Sequence, residues 1–277
     1  MVGYYGPSST NTMAFFLPYL GGKYADITVP GQATGATSFT EAYKINNLGA
    51  IVGFYTDTSG IVHGWFLDHA GEKEKFVAPI DPPGSGFTRA FGINDFNNIV
   101  GAWQVSASGG DEPGFFLPGP HSNKFVTPIY YYPPGLPDVT ATILLDINDK
   151  SEIVGEYYDN TLGQWFSFHG DSIKGPFVDI SPLLASFGAN YSQAFQENNF
   201  GEIVGYFTPY TNAGFPFHGW ILKDGIPTQF DFPGAGSKGT AIDSVNDWGD
   251  FSGRYYDANG QQHGFVALIC DECTSED

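Results

Sequence analysis

The chain has 277 residues and a formal net charge of −19, from 30 Asp and Glu against 11 Lys and Arg. Because binding to phosphate backbones depends on basic side chains, this charge argues against nucleic acid or an anionic membrane surface as a partner. It favours a neutral or cationic ligand, such as an uncharged glycan. Aromatic residues make up 17% of the chain, and its 37 Gly and 19 Pro favour short strands separated by turns.

A phrase with the sequence Ile-Val-Gly-aromatic, or a degenerate form of it, recurs six times along the chain. Its glycines are Gly3, Gly53, Gly101, Gly155, Gly205 and Gly253. Subtracting each number from the next gives 50, 48, 54, 50 and 48 residues. A regular period in this range is typical of solenoids and propellers. The chain is therefore predicted to be one array of repeats.

The repeat around residues 38–81 illustrates the predicted strands in chain order. Strands are predicted at 39–45, 51–55, 62–67 and 76–80, with turns rich in Asn, Asp and Gly between them. Three hairpins would join these strands into an antiparallel meander. The proline-bearing link 81–86 follows, and since proline cannot donate to a sheet ladder, this link is predicted to lead into the next sheet.

A four-stranded antiparallel meander that is repeated radially is the blade of a β-propeller. Continuous apolar runs such as residues 51–55 fit blades that bury both faces. Counting second and third strands six times and first and fourth strands five times gives 22 strands. We predict an all-β propeller of six four-stranded blades with incomplete ends, in a single domain of residues 1–269. Five blades plus an extra hairpin is the alternative.

The acidic tail, residues 270–277, carries the two cysteines of the chain, Cys270 and Cys273. One Cys-x-x-Cys pair is half of a zinc site, and no second pair or histidine cluster completes it in the sequence. A tail disulfide or free thiols are expected, with a metal site as the alternative. No cofactor is predicted, since catalytic serine elbows, zinc-protease helices, phosphate loops and calcium loops are missing from the sequence. No segment approaches the ~20 apolar residues of a transmembrane helix, so membrane insertion is not expected.

Two longer patterns resemble a known family. Thr-x-Ala-x-Gly-Ile-Asn-Asp-x-x-x-Ile-Val-Gly runs from Thr88 to Gly101, and Tyr-Asp-x-x-Gly-x-x-His-Gly-Phe runs from Tyr256 to Phe265. Both are similar to the HAF repeat of bacterial extracellular proteins, and the similarity covers nearly the whole chain. The resemblance implies a secreted or extracellular bacterial protein and no particular activity. An export signal is not expected within this chain, because Met1 falls in the middle of a repeat.

Alternating strand directions divide the loops of each repeat between two ends. The loops between second and third strands share one end with the interblade links, which we call the link end. The opposite end, which we call the Asn-turn end, carries the turns that begin at Asn46, Asn94, Asn148, Asn198 and Asn246. Because Asn tolerates left-handed geometry and bonds its own backbone, these asparagines are predicted to be structural.

The link end carries recurrent Tyr-Asp pairs and histidines as candidate ligand-binding residues. These are Tyr55, Asp57, His63, Tyr157, Asp159, His218, Tyr255, Asp257 and His263. On a structural interpretation, Asp-x-x-Gly closes a turn and each His hydrogen-bonds the neighbouring blade. On a functional one, the rings are stacking platforms for sugars whose hydroxyls Asp or His would hold, and repetition gives multivalent binding.

Positions that differ between repeats are candidates for catalysis, since an active site needs asymmetry that copied repeats do not supply. Glu41, Arg89 and Gln193 begin predicted innermost strands and are expected to converge at the mouth of the channel. Glu197 departs from the HAF pattern by replacing a core aliphatic residue, and burial would raise its pKa to suit a general acid. Glu41 and Glu197 are therefore the candidate catalytic residues.

Three functions from different classes follow from these residues. A lectin-like extracellular propeller for neutral glycans or similar surface ligands is the function we predict. A glycoside hydrolase or lyase with a channel-mouth site, using Glu41 and Glu197, is the first alternative. A structural or adhesive repeat protein without a small-molecule site is the second. The sequence does not decide whether the protein is an enzyme.

Overall fold

The computed structural model describes residues 1–8, 11–35, 38–70, 75–106, 109–136, 138–210 and 215–269. The acidic tail with Cys270 and Cys273 lies outside these residues. The described chain forms 22 strands and one 3-10 helix, so the prediction of an all-β fold is confirmed. In the same ranges, no helix has the length and apolar character needed to cross a membrane.

The chain divides into two compact units. The first contains Met1–Tyr132 and Val139–Ser151, and the second contains Pro133–Asp138 and Glu152–Asp277. The strands of the first are β1 (Val2–Ser8), β2 (Asn11–Phe16), β3 (Ala25–Ile27), β4 (Thr40–Ile45), β5 (Ile51–Thr56), β6 (Val62–Asp68), β7 (Lys75–Ile80), β8 (Phe87–Ile93), β9 (Asn98–Gln104), β10 (Gly114–Pro118), β11 (Val126–Ile129) and β12 (Val139–Ile147). The elements of the second are β13 (Ile153–Asp159), β14 (Gln164–Gly170), β15 (Phe177–Asp179), η1 (Ser181–Phe187), β16 (Tyr191–Glu197), β17 (Ile203–Thr208), β18 (His218–Lys223), β19 (Ile226–Phe230), β20 (Thr240–Val245), β21 (Phe251–Tyr256) and β22 (Gln262–Ala267).

The first unit is built from antiparallel meanders. Strands β1, β2 and β3 form a three-stranded sheet, while β4–β7 and β8–β11 form two four-stranded meanders. One parallel residue pair, Val62 with Phe87, joins these two meanders into a larger sheet. Strand β12 begins the next repeat and lies against β8 and β9. The predicted meander is therefore confirmed, with strand bounds that differ from the prediction by one residue at most.

The second unit repeats the same design. Strands β13, β14 and β15 pair in order, β16–β19 form a four-stranded meander, and β20–β22 form a three-stranded sheet. The strand count equals the 22 predicted from the repeat pattern. The choice between six and five blades stays a prediction, as does the single domain.

The first strands of successive repeats are neighbours within each unit. Strand β4 contacts β8, β8 contacts β12, and β16 contacts β20. Lys44 of β4 also reaches Asp146 of β12, with Nζ 2.8 Å from Oδ2. A Cβ on Gly92 of β8 would lie 2.7 Å from the Cα of Asp146, so glycine permits this close approach. Successive first strands of one unit thus lie next to each other, as the propeller hypothesis expects of innermost strands.

The glycine of the Ile-Val-Gly motif stands where a larger side chain would clash with its neighbours. In β5 all six residues are buried, so both faces of this strand are covered, as the sequence indicated. A Cβ on Gly53 would lie 1.9 Å from the carbonyl oxygen of Glu41 and 2.7 Å from the indole of Trp65. Gly205 has the same relation to the carbonyl oxygen of Gln193, at 1.8 Å. The motif glycine therefore leaves room for an aromatic ring of the third strand, which is Trp65 beside Gly53 and Phe115 beside Gly101.

Candidate functional site

The Asn-turn end is held by one hydrogen-bond pattern that recurs in both units. The side-chain oxygen of Asn46 accepts the N–H groups of Leu48 and Ala50, at 3.1 and 2.9 Å. Its amide nitrogen donates to the carbonyl oxygen of Asn94, in the next repeat, at 2.9 Å. Asn94 makes the same bond to Asn148, at 3.0 Å. The predicted structural role is therefore confirmed and extended, since the side chains of Asn46, Asn94 and Asn198 also bind the following repeat.

The residue after each Asn adds a second connection between repeats. Asp95 accepts the backbone N–H of Asn47 at 2.8 Å and its side-chain amide at 3.0 Å. In the second unit, Asp247 accepts both groups of Asn199, each at 2.9 Å. These carboxylates fix adjacent turns to each other, which is a role the sequence analysis did not foresee.

At the link end, the candidate tyrosines lie at different depths. Tyr55 is 4% exposed and Tyr157 is 1% exposed, so a sugar cannot stack on either ring in this structure. Burial, followed by the nearby Asp81 and Asp57, raises the pKa of Tyr55. Tyr255 is partly exposed, and its ring is stacked with that of Phe232 at 4.1 Å between centroids. The structural interpretation therefore fits Tyr55 and Tyr157.

The candidate aspartates close turns, as their structural interpretation predicted. Asp57 accepts the N–H groups of Ser59 and Ile61, both at 2.8 Å. Asp257 accepts the N–H groups of Asn259 and Gln261, both at 2.9 Å. The bond from Gln261 is the main cause of the lowered pKa of the Asp257 carboxyl. In the fourth repeat, Asp159 is buried and accepts the N–H groups of Thr161 and Leu162.

The candidate histidines bond within their own repeats. His63 places Nδ1 2.7 Å from Asp81 and Nε2 3.4 Å from Asp57. His218 Nδ1 lies 2.9 Å from Asp231, and His263 Nε2 lies 3.3 Å from Asp257. The expectation that each His bonds the neighbouring blade is therefore wrong for these pairs. The acceptor is an aspartate that the same repeat supplies, either in its hairpin or just after its fourth strand.

Charged residues, the buried Glu41 and the partly buried Arg89, lie near the starts of β4 and β8 in the first unit. Glu41 accepts the hydroxyl of Thr12 at 3.2 Å, and burial raises the pKa of its carboxyl to about 7, against the opposing effects of Thr12 and Arg89. The Arg89 guanidinium pairs with Glu112 and packs over the ring of Phe91, 5.1 Å from the centroid. This unit therefore brings Glu41 and Arg89 into electrostatic contact.

Two other candidates, Gln193 and Glu197, lie on β16 in the second unit. Gln193 donates to the carboxylate of Glu156, 2.5 Å away. Glu197 is buried, as expected, and its Oε1 lies 3.3 Å from Nε2 of His169. Burial lowers the pKa of His169, but the carboxylates of Glu197, Glu152 and Asp171 together raise it by more, so the net shift is upward. Glu197 ends β16 beside the Asn198 turn, whereas Glu41 lies near the start of β4, so they occupy opposite ends of equivalent strands.

A cleft of about 180 Å³ opens at the link end of the second unit, beside η1. We call it the η1 cleft. Its lining residues are Phe166, Asp179, Ser181, Pro182, Ala185, Ala189, Asn190, Tyr191 and Ser192. They come from β14, the end of β15, η1 and the start of β16. The cleft thus lies where one repeat passes into the next.

Helix η1, which lines the cleft, is fixed to the hydrophobic core of the second unit. Its Leu184 is buried, and Phe187 stacks on Phe207 with 5.7 Å between ring centroids. Ser181 starts the helix, and its N–H is bound by Asp179 at 2.9 Å. Gly188 ends it in a left-handed conformation, with φ of 76°. The wall of the cleft is therefore a docked element.

The polar groups of the cleft converge beside aromatic rings. Asp179 accepts the Tyr157 hydroxyl at 3.1 Å, which links a predicted candidate to the cleft. The hydroxyls of Ser181 and Ser192 lie 3.2 Å apart. Asn190 is exposed and uses one amide proton on the carbonyl oxygen of Pro209. A carboxylate accepts about four hydrogen bonds and an amide offers both donors and an acceptor, so Asp179 and Asn190 retain capacity for a ligand.

This cleft is not among the sites predicted from the sequence. One signal was available: the links elsewhere contain Pro-Gly, as at Pro83-Gly84 and Pro233-Gly234, whereas residues 180–190 carry Ser181-Pro182. Proline is favoured at the first position of a helix, and a Gly shortly afterwards is typical of its end. The pattern therefore indicated a helical link at this one place.

Among the residues that the structure describes, no group of three or more His, Cys, Asp and Glu side chains is arranged to hold a metal ion.

Comparisons with known proteins give only distant similarities. No protein-family model matches the chain, and no curated protein matches it in sequence. Among solved structures it is similar to the BP39L lectin from Burkholderia pseudomallei, at 12% identity and a TM-score of 0.44, over 97% of this chain and 84% of the lectin. It is also similar to a prolyl endopeptidase, at 10% identity and a TM-score of 0.45, over 94% of this chain and 47% of the peptidase. Both TM-scores are below 0.5, and at such identities neither neighbour's ligand or activity transfers to this chain.

Proposed function

We propose that the protein is a lectin-like repeat protein that binds a neutral sugar in the η1 cleft. The observation that carries the proposal is that Asp179 and Asn190 line one recess together with the half-buried ring of Phe166. Aromatic rings pack against the apolar faces of a sugar, while carboxylate and amide groups bond its hydroxyls. A secreted location, which the HAF resemblance implies, would expose the cleft to surface glycans.

The size and charge of the site support this ligand class. Pockets for drug-sized ligands have volumes of roughly 300–1,000 Å³. A cleft of about 180 Å³ therefore suits a single sugar ring or the end of a glycan. Asp179 is the charged residue among those lining the cleft, and the chain carries a net charge of −19, so an anionic sugar is disfavoured.

The test is to fill the cleft without removing a structural contact. Ala185 lines the cleft from η1, and Ala185→Trp would occupy the space of the ligand. Ser186 is exposed on the same helix and does not line the cleft, so Ser186→Trp is the matched control. Wild type and control should bind the same neutral sugars on a glycan array, and Ala185→Trp should lose at least tenfold in affinity, about 1.4 kcal/mol.

Two results would contradict the proposal. Equal affinity of Ala185→Trp and wild type would place the sugar elsewhere. Failure of the wild type to bind any neutral glycan would favour the structural or adhesive alternative.

The hydrolase alternative is less well supported. The raised pKa of Glu41, about 7, is suitable for a general acid. Glycosidases need two carboxyl groups that flank one bond. Glu41 and Glu197 belong to separate units, and Glu197 is engaged by His169, so neither unit contains the pair that this hypothesis assigned.

A further inference from the structure

Large apolar side chains stand at one position of the Asn turns, two residues after the Asn. These tip residues are Leu48, Phe96, Phe200 and Trp248, with 55%, 69%, 73% and 85% of their surface exposed. The remaining turn has Lys150 there, so the turn itself does not require an apolar residue. Single exposed hydrophobics are ordinary on protein surfaces. Here, however, an exposed apolar side chain recurs at the same position of four turns, which a random distribution of surface hydrophobics would not produce.

The tips of the second unit are held rigidly. The N–H groups of Phe200 and Trp248 are bound by Asn198 and Asn246, at 3.0 and 2.9 Å. Asn198 also donates to the carbonyl oxygen of Asn246, at 2.9 Å. The two turns are therefore locked in place and to each other, and little conformational entropy would be lost when a ligand binds there.

We propose that Phe200 and Trp248 form a second binding surface, a two-ring platform for an unbranched neutral polysaccharide. Packed sheets lie about 10 Å apart, which is close to the length of two linked sugar rings, so rings on adjacent turns are spaced for alternate sugars of one chain. Each ring would stack on the apolar face of a sugar. This surface lies at the Asn-turn end and does not depend on the η1 cleft.

The surroundings of the rings favour a polysaccharide over other partners. Asn199 and Asp247, the residues just before the two tips, are hydrogen-bonded to each other, so polar groups adjoin both rings, unlike the apolar centre typical of a protein interface. Asp247 and the net charge of −19 disfavour polyanions and anionic membranes. Separate aromatic rings in a polar surface match the alternation of apolar faces and hydroxyl groups along a glycan.

The test uses retention on amorphous cellulose, chitin and mannan. Trp248→Ala and Phe200→Ala should each weaken binding to the retaining polysaccharide by roughly 3- to 10-fold, the loss of one stacking contact. Tyr19 is similarly exposed, at 69%, but lies outside the Asn turns, so Tyr19→Ala is the matched control and should bind like wild type. Ala185→Trp should also bind like wild type. Unchanged melting temperatures would show that the variants are folded.

Fluorescence gives a second readout. Trp248 is 85% exposed, whereas Trp65 and Trp220 are fully buried and Trp103 and Trp165 are partly buried, so Trp248 contributes most to acrylamide quenching. Bound polysaccharide should reduce that quenching. The proposal is overturned if wild type passes through all three polysaccharides, or if both variants are retained like wild type. It is also overturned if the wild type binds phosphatidylcholine vesicles instead and the two variants lose that binding, which would identify the tips as a membrane contact.

Discussion

The two ends of the repeats are built on different principles. At the Asn-turn end, Asn46, Asn94 and Asn198 each bind their own turn and the next repeat through the same bonds. At the link end, the hairpins keep their Asp turns, but the links differ, and one of them folds into η1. The residues that recur from repeat to repeat thus hold neighbouring repeats together. The cleft forms at the one link whose sequence, without Pro-Gly, differs from the others.

This contrast changes how the recurrent residues are interpreted. Tyr55 and Tyr157 recur because their rings are core residues, and Asp57 recurs because it closes a turn. A copied residue can serve every repeat equally, whereas a binding recess needs one repeat to differ from the others. The strongest candidates for binding are therefore Asp179 and Asn190, which border the link that differs.

Truncation of a link-end tyrosine should have the largest effect and should depend on the repeat. Tyr157→Ala removes a fully buried ring, so we expect a loss of about 3–5 kcal/mol in the free energy of unfolding. Tyr255 is partly exposed, so Tyr255→Ala should be clearly less destabilising. Urea denaturation of both variants measures the difference. If Tyr157→Ala is as stable as wild type, the ring is not a core element and the stacking-platform hypothesis regains support.

The second test concerns Glu41, where other repeats have Ile143 and Ala241. Burial raises its pKa from 4.5 to about 7, so the folded state favours the neutral form. Its contribution to stability is therefore complete below about pH 4.5 and is lost as the pH rises through 7. Glu41→Gln stays neutral at every pH. From pH 4.5 to pH 8 it should gain roughly 3 kcal/mol relative to wild type, measured by denaturation across that range. Parallel stability curves would show that Glu41 does not titrate as described.

A smaller loss is expected at the Asn-turn end. Asn94→Ala removes two bonds within the turn and one to Asn148, for a loss of roughly 2–3 kcal/mol at about 1 kcal/mol each. Asn246 is exposed and, in the described part of the chain, donates to Asp250 of its own turn rather than to another repeat. Asn246→Ala also removes three bonds, two within the turn and one to Asp250, but water can replace bonds at this exposed site, so it should lose about half as much. Equal losses would mean that the bond between repeats adds nothing to stability.

Much of the fold could be predicted because its signals are local. Strand β5 was located to within one residue, since the turns at Asn46 and Asp57 bound it on both sides. The asparagine turns were also predicted correctly for this reason. Their bonds to the next repeat were not predicted. The oxygen of each Asn side chain accepts bonds within its own turn, which the local sequence indicates, but the acceptor of its amide nitrogen lies in another repeat, which the local sequence does not show.

The candidate site was less predictable because it depends on tertiary packing. Whether Tyr157 is a platform or a core residue depends on what covers it, and both roles give the same pattern in sequence. The position of η1 depends on Leu184 and Phe187 docking into the core. The partners of Glu197 and Gln193, namely His169 and Glu156, lie on other strands, so spacing along the chain could not identify them.

Hydrogen–deuterium exchange, with and without the neutral monosaccharide that binds best on the array, tests the central claim most directly. Bound sugar should slow exchange in peptides covering residues 179–192, which include η1 and most of the cleft lining. The Asn turns should exchange at unchanged rates, because a single sugar in the cleft does not touch them. Protection confined to the Asn turns or to the His63 and His263 hairpins, with none at residues 179–192, would contradict the assignment of the η1 cleft as the binding site.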